Sequence, residues 1–419
     1  MTTTDIGFDA LGLSPALARA TRDLGYKAPT PIQAASIPPA LEGRDVLGTA
    51  ATGSGKTAAF LLPILQRLGS GRRGTTRALI LAPTRELAAQ IEEAAQGLIR
   101  HTGLRVASVF GGVGMRPQER AFREGTDVIV ATPGRLLDHL QHPYADLSKL
   151  EVLVLDEADR MLDMGFLPDI RRVLRQLPQD RQTLLFSATM PAPILELSRD
   201  LLRQPVRVGV ERPSTPASGI TQTVYPVAED LKTPLLVHLL KQDSIGSVIV
   251  FTRTKHRANR LAEKLAKAGV SAERIHGNRS QSARTEALAG FKSGKYRVLV
   301  ATDIAARGID VEALGHVVNF DVPNVPEDYV HRVGRTARAG LTGEALTFFS
   351  PAEEGDLRAI ERTVGRKIDR VTVPDFDYRA KPAEQFEVPL KDRIAEIRAR
   401  KAEDRARAAA KAERRAQNA

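Results

Sequence analysis

Short apolar runs recur along most of the chain, with longer amphipathic segments between them. The runs at 45–49, 78–82, 127–131, 152–155 and 183–186 have the length and near-continuous apolar character of strands buried on both faces. Segments of helical periodicity follow them, as at 86–99 and 167–177. That alternation predicts a mostly parallel sheet with helices on both faces. It breaks at 210–220, where Pro213, Ser214, Thr215, Pro216, Ser218 and Gly219 cluster. Such a stretch suits neither helix nor strand and reads as an interdomain linker. Beyond it the pattern resumes with runs at 248–252, 297–301 and 316–320. A short echo joins the halves, since Ile129-Val130-Ala131-Thr132 resembles Leu299-Val300-Ala301-Thr302. If the fold is duplicated, both threonines fall on one side of the molecule.

These elements divide the chain into a first domain at 1–209, the linker at 210–220, a second domain at 221–378 and a tail at 379–419. Two domains also suit the length of 419 residues, because a single hydrophobic core rarely serves so long a chain. From Pro389 the composition turns to Ala, Arg, Lys and Glu, with ten basic residues against five acidic, a net of +5. Propensity there favours helix, but no continuous apolar stripe would dock it, so a solvated tail is expected.

Composition narrows the function. The 42% hydrophobic and 26% charged content is that of a soluble globular protein. No apolar run of about 18 residues offers a membrane span. The start, Met-Thr-Thr-Thr-Asp-Ile-Gly, lacks the basic-then-apolar pattern of a signal peptide. With no cysteine, disulfides, thiolate nucleophiles and cysteine-ligated zinc are excluded, and the cytoplasm is the expected compartment. A net charge of +11 and a pI near 9.9 favour a polyanionic partner, although surplus surface Lys and Arg would give the same balance.

Two motifs carry chemistry. After the run at 45–49 comes Ala50-Ala51-Thr52-Gly53-Ser54-Gly55-Lys56-Thr57, then a helical segment. Glycines let successive N–H groups turn inward around phosphate oxygens at the positive end of a helix. Lys56 would reach the β- and γ-phosphates of a nucleotide and the Thr57 hydroxyl would bind Mg²⁺. Ala50 stands where the general phosphate-loop pattern has glycine. Further on, Val152-Leu153-Val154-Leu155 delivers Asp156-Glu157-Ala158-Asp159 at a strand end. Asp156 there suits a Mg²⁺ ligand acting through water, and Glu157 a base for the attacking water. An acidic helix N-terminus favoured by the dipole is the plainer reading of those carboxylates, and pairing with the loop at Lys56 favours the catalytic one.

Asp156-Glu157-Ala158-Asp159 resembles the name-giving motif of the DEAD-box RNA helicases, and the other signatures follow in that family's order across roughly residues 8–340. The resemblance implies two tandem RecA-like domains, each a mostly parallel sheet with helices on both faces, followed by the basic tail. The segment from Gly25 to Gln33 resembles the Q motif and implies ATP, with Gln33 on the adenine edge, Tyr26 stacked on the base, Thr30 close by and Phe8 as the upstream aromatic. Phe8 and Tyr26 would equally serve as core aromatics. The loop residues Thr52, Gly53, Ser54 and Gly55 would line the same site.

Pro83-Thr84-Arg85-Glu86-Leu87, Gly111-Gly112 and Thr132-Pro133-Gly134-Arg135 resemble RNA-backbone motifs, though each would also pass for a structural turn with a helix cap. Ser187-Ala188-Thr189 resembles the motif that couples hydrolysis to strand separation through the Asp159 region, and a simple helix cap is compatible with that role. In the second half, Thr302 and Arg307 would face RNA, with Gly308 and Asp310 at the nucleotide. Arg253, Gly277, Gln281 and Arg284 fit further RNA-contact motifs. The segment from His331 to Arg338 resembles motif six, with His331 in coupling and Arg335 and Arg338 as arginine fingers; Ala337 replaces the usual glycine.

The resemblance therefore implies an RNA-dependent ATPase using ATP and Mg²⁺. Closure of two domains on the RNA backbone would unwind short duplexes or remodel RNA–protein complexes. An ATP-dependent RNA clamp or assembly factor is the alternative, because both need the same closed state. Little sequence preference is expected, and protein partners in ribosome assembly or RNA decay would fit the family. Residues 156–166 and the basic tail resemble the bacterial RhlE-like branch.

Overall fold

The structure is a computed structural model that describes residues 7–50, 53–71, 73–209, 219–242, 245–306, 311, 314–336 and 342–380. Seven strands form the first sheet: β1 (Val46–Thr49), β2 (Ala78–Leu81), β3 (Val106–Val109), β4 (Val128–Ala131), β5 (Val152–Leu155), β6 (Gln182–Ser187) and β7 (Val206–Gly209). Seven more form the second: β8 (Ile220–Pro226), β9 (Val248–Thr252), β10 (Ala272–Ile275), β11 (Val298–Thr302), β12 (His316–Asn319), β13 (Gly343–Phe349) and β14 (Asp369–Arg370). Pairing is parallel throughout, with Val46 of β1 opposite Leu184 of β6 on one side and Val206 of β7 on the other. These are two tandem RecA-like units, each a parallel sheet flanked by helices.

Strands β2, β4 and β5 are apolar at every position because both of their faces are covered. Val46, Ile80, Val130 and Val154 pack into one helix-covered cluster, while Leu47, Leu79, Ile129 and Leu153 pack into the other. Alternate residues of a strand point to opposite faces, so a strand sandwiched between helices has no polar side to show. In the second sheet Val248, Val250 and Val298 divide from Ile249, Phe251 and Leu299 in the same way.

The two sheets share one plan. Their strand orders are β3-β4-β2-β5-β6-β1-β7 and β10-β11-β9-β12-β13-β8-β14, which coincide once the second is counted from β8. Thr132 follows β4 and Thr302 ends β11, so the repeated Ala-Thr marks the same place in each copy.

The expected runs match β1, β2, β4, β5, β6, β9, β11 and β12 to within about a residue. The pattern did not reveal the sheet edges β3, β7, β10 and β14, nor β8 and β13. Edge strands carry exposed positions, and Glu344 and Thr347 interrupt the apolar run of β13. Ile220, expected in the linker, opens β8 instead, because its register opposite Gly343 of β13 claims it for the second sheet. The rest of the linker at 210–218 and the tail at 381–419 lie outside the described residues.

A buried charge cluster links several elements of the second unit. Lys232 is fully buried at the start of the helix Lys232–Lys241, with its ammonium 2.6 Å from Glu353, 3.1 Å from Glu229 and 3.9 Å from Asp321. Arg257 meets Asp321 at 2.6 Å, and the Arg253 amide donates to the same carboxylate at 2.8 Å.

Candidate active site

The phosphate loop leaves β1 at the carboxyl edge of the first sheet. The Ala50 amide donates to the Ser187 carbonyl at 3.1 Å, which fastens the loop to the end of β6. Gly53 and Gly55 have φ of 78° and 92°, left-handed values that glycine adopts freely. Gly55 caps the helix Lys56–Leu68, and a Cβ built there would lie 2.5 Å from Gln33 Nε2. Gln33 is itself buried: its Nε2 donates to the Gly55 carbonyl at 3.0 Å and its Oε1 accepts from the Thr30 amide at 2.9 Å. Phe8 is a core aromatic, with its ring centroid 5.8 Å from that of the half-buried Tyr26, and burial raises the Tyr26 hydroxyl. Ser54 and Thr57 are half-buried around the loop, and Thr52 lies outside the described residues.

The acidic strand end meets this loop. Lys56 is buried with its ammonium 2.9 Å from the Ala50 carbonyl. Asp156 is buried behind it and accepts the Glu157 amide at 2.9 Å. Burial raises the Asp156 carboxyl to about 6, with the Lys56 charge opposing the rise and the Glu157 charge adding to it. Thr57 and Asp156 offer only oxygen donors beside unbalanced negative charge, which fits a hard divalent cation; a bound cation would reverse that rise. Among the described residues there is no group of three or more His, Cys, Asp or Glu that would cage a metal. Glu157 adopts φ 52° and ψ 52°, a left-handed conformation uncommon for a residue with a side chain. Its Oε2 accepts from Arg160 Nη1 at 2.8 Å, and both side chains are buried.

Asp159, Ser187 and Thr189 converge. The Asp159 amide donates to Ser187 Oγ at 3.1 Å, and Asp159 Oδ2 accepts from the Thr189 amide at 2.8 Å and the Thr189 hydroxyl at 2.9 Å. Burial alone would raise the Asp159 carboxyl, but the Lys56 charge and the hydrogen bonds from Thr189 and Ser187 hold it below its ordinary value.

The candidate RNA motifs of the first unit gather at the ends of β2, β3 and β4. Thr84, just after Pro83, caps the helix Arg85–Ile99 by accepting the Leu87 amide at 3.2 Å. Arg85 covers Gly111 and Gly112 so closely that a Cβ on Gly112 would overlap its Nη1. Thr132 caps the helix Pro133–Leu140, whose first turn includes Gly134, and Arg135 Nη1 donates to the Val113 carbonyl at 3.0 Å. Two helix N-termini thus open on one edge, where backbone N–H groups suit phosphate.

In the second unit some candidates turn elsewhere. Gln281 Nε2 donates to Glu86 Oε1 at 3.0 Å, and Arg284 Nη2 lies 2.9 Å from Glu86 Oε2, so both are engaged by the first unit. The Arg253 guanidinium points into its own unit and donates to the Val322 carbonyl at 3.0 Å and to Glu353 at 3.1 Å. Gly277 is exposed in open surroundings, and Thr302 ends β11 in register with Thr252 of β9. His331 is half-buried and Arg335 buried, near the end of the helix Pro326–Val333. Arg307, Gly308, Asp310 and Arg338 lie outside the described residues.

Two residues of the site escaped the sequence reading. Glu86 sits inside the Pro83–Leu87 motif, but its partners are 195 and 198 positions away. Arg160 directly follows the acidic motif, where an arginine reads as surface charge until its burial is seen.

The DEAD/DEAH box helicase family model matches residues 30–197, and the helicase conserved C-terminal domain model matches 231–340. The chain is 44% identical to the DEAD-box ATP-dependent RNA helicase CshA of Bacillus subtilis over 383 residues, covering 91% of this chain and 77% of that one. It superposes on S. cerevisiae Dbp5 bound to RNA and ADP BeF3 with a TM-score of 0.81 at 32% identity, over 88% of this chain and 96% of that one. A DEAD box protein from Methanococcus jannaschii is 37% identical over 87% of this chain and 99% of its own, yet superposes at only 0.52. The two units are therefore arranged relative to one another much as in the RNA-bound Dbp5 structure. With both models matched in order and CshA aligned along nine-tenths of this chain, the protein belongs to the DEAD-box family of ATP-hydrolysing RNA helicases.

Proposed function

We propose that this chain is an RNA-dependent ATPase that unwinds short duplexes or remodels RNA–protein complexes when its domains, at 1–209 and 221–378, close on ATP and RNA. The observation that carries the reading is the buried group Lys56, Asp156 and Glu157 at one strand edge, with Gln281 and Arg284 of the other unit already bonded across the cleft. The Dbp5 structure, similar in both units, is of a complex with RNA and ADP BeF3, which supports RNA as the partner here.

In this reading Gln33 and Tyr26 hold adenine, with Phe8 and Thr30 supporting them. The loop 52–57 takes the phosphates, and Gly308 and Asp310 approach from the second domain. Thr57 and Asp156 would hold Mg²⁺, which supplies charge neutralisation at the β- and γ-phosphates. Glu157 removes a proton from the attacking water as its oxygen bonds to the γ-phosphorus and the bond to the ADP oxygen breaks. Arg335 and Arg338 neutralise the charge that develops there. Pro83, Thr84, Arg85, Gly111, Gly112, Thr132, Pro133, Gly134, Arg135, Gly277, Thr302 and Arg307 face the RNA backbone. Asp159, Ser187, Thr189 and His331 relay closure.

No helix among the described residues is long and apolar enough to cross a membrane. The cytoplasm is the compartment that suits an RNA-acting chain without cysteine. The deciding experiment is Glu157→Gln, expected to cut RNA-stimulated ATP turnover by about 10² to 10⁴ while ATP still binds. Turnover at the wild-type rate would sink the base assignment. Strand displacement by the wild type on one short duplex separates unwinding from retention of single strands by a clamp.

A further inference from the structure

Glu157 holds a strained backbone conformation, with its amide donating to Asp156 Oδ1 at 2.9 Å and its carbonyl accepting from the Met161 amide at 3.1 Å. Its side chain has one charge-assisted bond, from Arg160 Nη1 to Oε2 at 2.8 Å. Arg160 is 1% exposed in the six-residue helix Ala158–Asp163, although arginine is almost never fully buried unless paired. Its second amino group, Nη2, is buried without an acceptor. Arginine–carboxylate pairs are frequently bidentate, and buried donors left unpaired are rare. A buried pair also contributes little net stability, since desolvation offsets the attraction. The arrangement suits a guanidinium that fixes one oxygen of a working carboxylate and stays at the centre where the chemistry occurs.

We propose that Arg160 is a positioning residue for ATP hydrolysis: by holding Glu157 Oε2 it aims the other carboxylate oxygen at the attacking water. The proposal rests on Glu157 as the base. It places the effect of Arg160 in the hydrolytic step, because the bond is to the base and no described contact joins Arg160 to the phosphate loop.

The test uses the full chain with ATP, Mg²⁺ and RNA. Arg160→Met should lower kcat about 10- to 100-fold, the cost of a misplaced catalytic group, while KM for ATP stays within about threefold. Arg160→Lys keeps the charge on a shorter reach and should fall between Arg160→Met and wild type in kcat at unchanged KM. Added to Glu157→Gln, Arg160→Met should slow single-turnover hydrolysis no further. A wild-type kcat in Arg160→Met overturns the proposal, as does an equal slowing in the Glu157→Gln background. If Arg160→Met does not fold, Arg160→Lys still decides: a change in KM rather than kcat overturns it. Failure of the base assignment itself shows separately, as undiminished turnover in Glu157→Gln alone.

Discussion

Gln33 joins two functions that a sequence reading keeps apart. Its amide was legible as an adenine-recognising group, but here it ties the Thr30 cap to the phosphate loop through Gly55. The readings are compatible, because Nε2 keeps a second N–H and Oε1 a second lone pair. What the sequence could not disclose is that the side chain proposed to recognise the nucleotide also fixes the loop geometry. Gly55→Ala should therefore do more than strain the loop. A left-handed alanine costs about 1–2 kcal/mol, and the new methyl would press on Gln33 from 2.5 Å. The expected result is a rise in KM for ATP of tenfold or more with a lowered melting temperature, read by steady-state ATPase and thermal unfolding. An unchanged KM would show that the Gln33 tether is dispensable for binding ATP.

At the scale of elements, most central strands were legible, whereas the edges and the interior strands β8 and β13, which carry polar residues, were not. A strand buried on both faces is mostly apolar, as Val152–Leu155 is throughout, whereas Ala272–Ile275 pairs on one side only and carries Glu273 and Arg274. The candidate catalytic motifs stood out because the residues of each lie close together in sequence. Glu86 was not, because its meaning comes from the helix Gln281–Lys292 in the other unit. That contact changes the expectation for Arg284. If it works by locking the units together, Arg284→Ala and Glu86→Ala should each reduce the gain in RNA affinity that an ATP analogue brings, by about 5- to 150-fold. The double variant should be impaired no more than either alone. Fluorescence anisotropy with and without the analogue measures this. Weaker RNA binding in Arg284→Ala regardless of nucleotide, with Glu86→Ala unaffected, would return Arg284 to direct RNA contact.

For the whole molecule, charge was legible as permission and not as address. Of the net +11, +5 lies beyond Pro389, outside the units that carry the motifs. A chain ended after Ala380 should bind single-stranded RNA with a shallower dependence on salt, by about 0.7 in the log–log slope for each phosphate the tail had neutralised. Its ATPase rate at saturating RNA should not change. A titration between about 50 and 200 mM salt provides the check. An unaltered slope would make the segment a solvated extension.

The common strand order of the sheets carries a last consequence. Lys56 begins the helix after β1, and Lys232 begins the helix after β8, the corresponding strand. Asp156 follows β5, and Asp321 lies just past its counterpart β12. The second copy therefore retains a lysine and an acid where the first has its nucleotide site. It closes them with its own side chains, as Glu353 and Glu229 take the ammonium and Arg257 takes the carboxylate. One half of the molecule keeps those charges for a ligand that comes and goes. The other carries internal counter-ions at the topologically corresponding places, charges committed within its own fold.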